Sequence, residues 1–219
     1  IITTSAAAAG SALVHGCSSS NTASNNTSTT NTSSTANVSP VADAPKVETT
    51  TARLGFIALT DSAPLIIAAE KGLFAKYGMT DVKVEKQASW PVTRDNLTLG
   101  SGGGGIDGAH ILTPMPYLMS LGTITEGKKV PMYILARLNT NGQAISVAET
   151  YKELKVAKES TPLKEAFAKS KAAGKDLKVA MTFPGGTHDL WIRYWLAAGG
   201  VNPDSDVSVV PVPPPQMVA

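Results

Sequence analysis

The chain has 219 residues and a formal net charge of +2, with 42% hydrophobic residues. That length suits one or two globular domains, and the charge is too small for the basic field that nucleic-acid binding requires. A single cysteine, Cys17, excludes an intrachain disulfide, and no apolar run approaches the ~20 residues of a spanning helix.

The first predicted element, residues 1–16, is short, apolar and rich in small residues from Ala6 to Val14. It has the character of the end of a signal peptide whose charged start is missing, and it runs into Val14-His15-Gly16-Cys17. In a bacterial lipobox a small residue precedes a cysteine that becomes lipidated, so Cys17 is the expected anchor, although His15 departs from the usual small residue. Residues 18–38 follow, with 18 of 21 being Ser, Thr or Asn. Such a stretch buries too little apolar surface to offset its ordering entropy, so residues 17–46 are expected to be a disordered, lipid-anchored linker. The Ile at position 1 and the unclosed Pro213–Ala219 ending lead us to expect a fragment.

The folded part is predicted from Val47. Arg53–Leu59 has the composition of a buried strand. Ser62 is a predicted N-cap, with Pro64 in the first turn of a helix over Ala63–Tyr77 that Gly78 ends. Asp81–Glu85 alternates as a strand, and Pro91–Leu99 is a second helix. Gly102–Gly105 lacks the Gly-Lys-Ser/Thr of a nucleotide loop and is expected to be a turn into a short strand over Ile106–Leu112. A helix over Pro116–Leu121 and a long apolar strand over Val130–Leu138 come next. The alternation then repeats: helix Pro162–Ala173 closed by Gly174, strand Leu177–Phe183, helix His188–Ala198 stopped by Gly199-Gly200, and strand Val207–Val212. Strands alternating with helices predict an α/β fold whose parallel sheet places ligands at the carboxyl ends of its strands.

Three strand-to-helix loops carry candidate chemistry. In Gln87-Ala88-Ser89-Trp90-Pro91, Trp90 is placed to wall a pocket, or else to pack in the core. In Leu138-Asn139-Thr140-Asn141-Gly142-Gln143-Ala144, neutral amides suit a small oxyanion, although Asn-Gly is equally a common turn. In Phe183-Pro184-Gly185-Gly186-Thr187-His188-Asp189, two glycines lead into a helix with Thr187 as the expected cap. There the first-turn N–H groups and helix dipole favour an anion, and His188 adds a donor. Trp191 and Trp195 are expected in the core. His110 ends a strand with no evident partner. No Ser has an apparent base and no metal-ligand spacing occurs, which argues against an enzyme.

Taken together, Ala88-Ser89-Trp90, Gly105-Ile106-Asp107-Gly108-Ala109-His110-Ile111-Leu112, Pro114-Met115-Pro116-Tyr117, Asn139-Thr140-Asn141-Gly142-Gln143 and Gly185-Gly186-Thr187-His188-Asp189-Leu190-Trp191 resemble the cyanobacterial-type nitrate- and bicarbonate-binding proteins of ABC transporters. The similarity runs from about Arg53 to Val218 in the expected order. It implies a two-lobed, periplasmic-binding-protein-like fold (type II), with a first lobe over residues 47–142 and an incomplete second lobe over 143–219. It also implies an anion site contacted by Trp90, Gln143 and His188, with no catalytic residue. Nitrate or nitrite is the expected ligand and bicarbonate the alternative. No cofactor is expected for the nitrate type, and calcium is expected only for the bicarbonate type. The implied partners are an ABC permease and its ATPase, with the protein held by its lipid at the periplasmic face of the inner membrane. A cytoplasmic enzyme or a sensor using the same two-lobed fold is the alternative of another class.

Overall fold

The computed structural model describes residues 39–217 except 43 and 141, so the predicted signal segment, Cys17 and most of the linker lie outside the described residues. Val41, within the predicted linker, already donates its backbone N–H to Lys76 O at 3.1 Å.

Two parallel sheets organise the chain. In the first, β1 (Thr51–Phe56) is central, flanked by β2 (Asp81–Lys86) and β3 (Gly108–Ala109). Thr51 pairs with Asp81, Phe56 with Lys86, and Leu54 with Gly108. Gly55 lets Ile106 and Gln87 pack close to β1, because a Cβ there would stand 2.6 Å from Ile106 Cδ1 and 3.0 Å from Gln87 Cγ and would displace those side chains. At the other end of the sheet, Asp107 ties β1 to the turn before β3. Its carboxylate accepts from Ser101 Oγ and, at 2.9 Å, from Arg53 N, and those bonds hold its pKa below the ordinary carboxylate range. Helices α1 (Ala63–Glu70), α2 (Leu73–Lys76), α3 (Trp90–Leu99) and α4 (Pro114–Leu121) complete this part.

The second sheet pairs β4 (Lys178–Met181) with β5 (Ser208–Pro211), again parallel, with α5 (Leu163–Ala172) before β4 and α6 (Thr187–Ala198) between the strands. Leu163, Phe167, Met181, Ile192, Leu196, Val201 and Val207 form its core. Each large apolar side chain buried this way contributes roughly 1.5–3 kcal/mol. Both sheets agree with the expected α/β, parallel architecture. Among the described residues no helix is long and apolar enough to cross a membrane.

Several expectations are corrected. The helix expected over Ala63–Tyr77 breaks into α1 and α2, because Gly72 turns left-handed at φ 65° and ends the first run of hydrogen bonds. Ser62 precedes α1, but its hydroxyl donates back to Leu59 O at 2.7 Å instead of capping the helix. The strand expected over Ile106–Leu112 contracts to the two residues of β3. Val130–Leu138 is not a strand: no regular structure forms there, and no strand of the described residues pairs with it. Its start is held by Val130 N to Met119 O at 3.0 Å and Met132 N to Ser120 Oγ at 3.1 Å. Leu135 is 95% exposed. An apolar run forms a strand only when a neighbouring strand accepts its hydrogen bonds, and none does among the described residues. Trp191 is exposed, whereas Trp195 lies against the second core and donates Nε1–H to Lys158 O at 2.9 Å. Thr187 is the first residue of α6 and not its cap; Gly186 holds the cap position, with no side-chain cap bond.

Candidate anion site

The carboxyl ends of β1, β2, β3 and β4 deliver their loops to one place. Beyond β1, a single 3-10 turn over Thr60–Ser62 presents Asp61. Beyond β2, Ser89 caps α3, its Oγ accepting from Val92 N at 3.4 Å, which sets Trp90 as the first helical residue. Beyond β3 stands His110, and beyond β4 come Thr182, Phe183 and, after the Gly185-Gly186 turn, His188.

Trp90 is fully buried and His110 is 5% exposed, with ring centroids 5.7 Å apart and planes tilted by 53°. His110 Nε2 lies 3.1 Å from Asp61 Oδ2. Three buried polar atoms of this group have no hydrogen-bond partner among the described residues: Asp61 Oδ1, Trp90 Nε1 and His110 Nδ1. Leaving a buried donor or acceptor unpaired costs about 1–3 kcal/mol, so three in one cluster are costly unless something binds them.

The second sheet closes on this group. Phe183 packs into one cluster with Ile57, Trp90, Leu112 and Met115. The turn behind it has no room for a larger residue: a Cβ on Gly186 would meet Leu112 Cδ1 at 2.8 Å and Phe183 O at 3.0 Å. Asp189 rigidifies the same turn, its Oδ2 accepting from Gly185 N at 2.8 Å and its Oδ1 from Arg193 Nε at 2.6 Å. Arg193 extends the network to Asp204, and these carboxylates keep its guanidinium pKa raised. His188 is tied to Thr182 by a 2.9 Å contact from Nδ1 to Oγ1. Burial pushes the His188 pKa below its ordinary value, and the charge of Asp61 partly opposes that shift. Asp61 thus acts on both imidazoles.

Of the residues singled out from sequence, Trp90 and His188 therefore come to one cluster. Gln143 does not join them here. It is exposed on the extended segment, which has no strand partner, and makes no hydrogen bond among the described residues. Asp61 was missed, and His110 was left unpaired. The available signal was positional: Asp61 follows β1 as Trp90 follows β2 and His110 follows β3. Among the described residues no group of three or more His, Cys, Asp or Glu is arranged to hold a metal.

A protein-family model described as the NMT1-like family matches residues 45–219. The chain is 67% identical, over its whole length and 49% of the relative's, to the nitrate/nitrite binding protein NrtA of Nostoc sp.. It is 47% identical to the bicarbonate-binding protein CmpA of Synechococcus elongatus, across 78% of this chain and 38% of that protein. Among solved structures, the periplasmic nitrate-binding protein NrtA from Synechocystis superposes with a TM-score of 0.75 at 69% identity, covering 80% of this chain and 44% of that one. The chain spans about half the length of the curated relatives it matches.

Proposed function

The chain belongs to the NMT1-like family, and from that premise we propose that it is part of a periplasmic solute-binding protein that captures nitrate or nitrite and hands it to an ABC permease and ATPase. The observation that carries this reading is the convergence, past the carboxyl ends of β1, β2 and β3, of Trp90 Nε1, His110 Nδ1 and Asp61 Oδ1, all buried and without a hydrogen-bond partner among the described residues, with His188 from beyond β4 alongside. An indole N–H and imidazole donors beside an aromatic wall suit a planar, weakly hydrated monoanion. Higher identity to a nitrate/nitrite binding protein than to a bicarbonate-binding one supports nitrate as the first choice.

Trp90, Gln143 and His188 are the proposed anion contacts. Gln143 would have to be carried in by the extended segment. Binding, and not catalysis, is the role, a reading supported by relatives that are themselves binding proteins. Cys17 is the proposed lipid anchor, and Cys17→Ser would release the protein from membranes.

Calorimetry on the full-length native protein with nitrate, nitrite and bicarbonate tests the ligand. Nitrate is expected to bind more tightly than bicarbonate. Heat with bicarbonate and none with nitrate would reverse the choice, and heat with neither would remove the anion reading.

A further inference from the structure

The Asp61–His110 pair has a consequence that neither residue has alone. Asp61 Oδ2 lies 3.1 Å from His110 Nε2, and an ionised carboxylate, which can only accept, favours the His110 proton on Nε2. A neutral His110 then presents Nδ1 as a bare lone pair, and only a protonated His110 presents Nδ1–H. Among the described residues Nδ1 is buried without a partner, and so is the N–H of the neighbouring Trp90 indole, whose ring centroid is 5.7 Å away. An oxyanion without a hydrogen atom can satisfy Trp90 Nε1–H but is repelled by a lone pair on Nδ1. It also brings a second negative charge next to Asp61. Taking one proton onto His110 removes both penalties.

We propose that Asp61 and His110 form a proton-accepting specificity pair: the pocket takes up one proton onto His110 Nδ1 when it binds a hydrogen-free oxyanion such as nitrate, and none when the anion carries its own hydroxyl. Binding is balanced as one anion and one proton entering together, with no bond broken in the ligand. Among the described residues, the other titratable group that Asp61 acts on here is His188, from the start of α6. The rest of the surrounding cluster, Ile57, Leu112, Met115 and Phe183, is apolar. This inference rests on the anion-binding reading and sharpens it.

Calorimetry of the full-length protein with sodium nitrate, in two buffers of different ionisation enthalpy at about pH 8, reads the proton directly. Uptake approaching one proton is expected, with Kd weakening towards tenfold per pH unit as pH rises. Asp61→Asn and His110→Gln should each bind nitrate without uptake and with a flat pH profile, whereas His188→Asn should keep the uptake. Equal heats in the two buffers for the wild type, or uptake lost only in His188→Asn, would overturn the pair. Should the wild type bind bicarbonate and not nitrate, the nitrate reading falls. The pair then requires bicarbonate to bind without proton uptake, and uptake there would overturn it too. Binding of neither anion overturns both.

Discussion

Two segments that look alike in sequence behave in opposite ways. Residues 81–90 and 130–143 each carry an apolar or alternating run and then a loop with a polar or aromatic side chain. The first becomes β2, hydrogen-bonded along its full length to β1, and delivers Trp90 into a position with no exposed surface. The second forms no strand among the described residues, with Tyr133 85% and Leu135 95% exposed. The difference lies in the neighbours. Strand character is completed by a partner, so a local pattern gives the capacity to pair and not the pairing.

The sharpest way to break this comparison is to remove one large side chain from each region. Phe183→Ala empties the centre of the cluster that holds Trp90, and a loss of about 3–5 kcal/mol is expected for deleting a fully buried aromatic. Leu135→Ser, on the exposed run, is expected to stay within about 0.5 kcal/mol. Urea unfolding of both variants checks the pair. A costly Leu135→Ser would show that the segment is packed in solution, and a silent Phe183→Ala would show that the two sheets do not close on each other there.

A smaller effect separates the regions by ligand instead of stability. Trp90→Ala and His188→Ala are each expected to weaken nitrate binding by at least tenfold, about 1.4 kcal/mol. Gln143→Ala is the informative third variant. If it also costs tenfold, the extended segment reaches the cluster when the anion is bound, and its exposure here is one of two positions. Unchanged affinity would strike Gln143 from the site.

Much of this was legible before any coordinates. Gly78, Gly174 and Gly199-Gly200 each end a helix as expected, because helix stops are local backbone events. Trp90 and His188 were found because both follow a strand and open a helix, a placement that a parallel sheet turns into proximity. What was not legible depended on partners distant in sequence. Asp61 and His110 are 49 residues apart, and neither has meaning without the other. Gly72 could equally have sat inside a continuous helix, since a single glycine is tolerated there at about 1 kcal/mol. The buried Asp189 was seen only as a neighbour of His188, yet it fixes the Gly185 turn that aims that histidine.

The smallest effect concerns pH, and it bears on whether His188 belongs to the closed region. Its folded-state pKa lies below the ordinary value of 6.5, mainly through burial. As pH falls through about 6.5, the unfolded chain takes up a proton before the folded one does, so the unfolded state is the one favoured. The His188 contribution therefore makes stability rise with pH between its lowered folded value and the unfolded one, and it leaves stability flat above that window. Urea midpoints between about pH 7.5 and 5.5 for wild type and His188→Gln test this, and the variant is expected to lose less stability on acidification. Parallel profiles would mean that His188 is as solvated as the exposed 130–143 segment. Bound nitrate should lessen this dependence, because an anion beside the imidazole opposes the depression that burial causes. The same pair of profiles with saturating nitrate thus reports whether His188 faces the ligand, independently of any change in affinity.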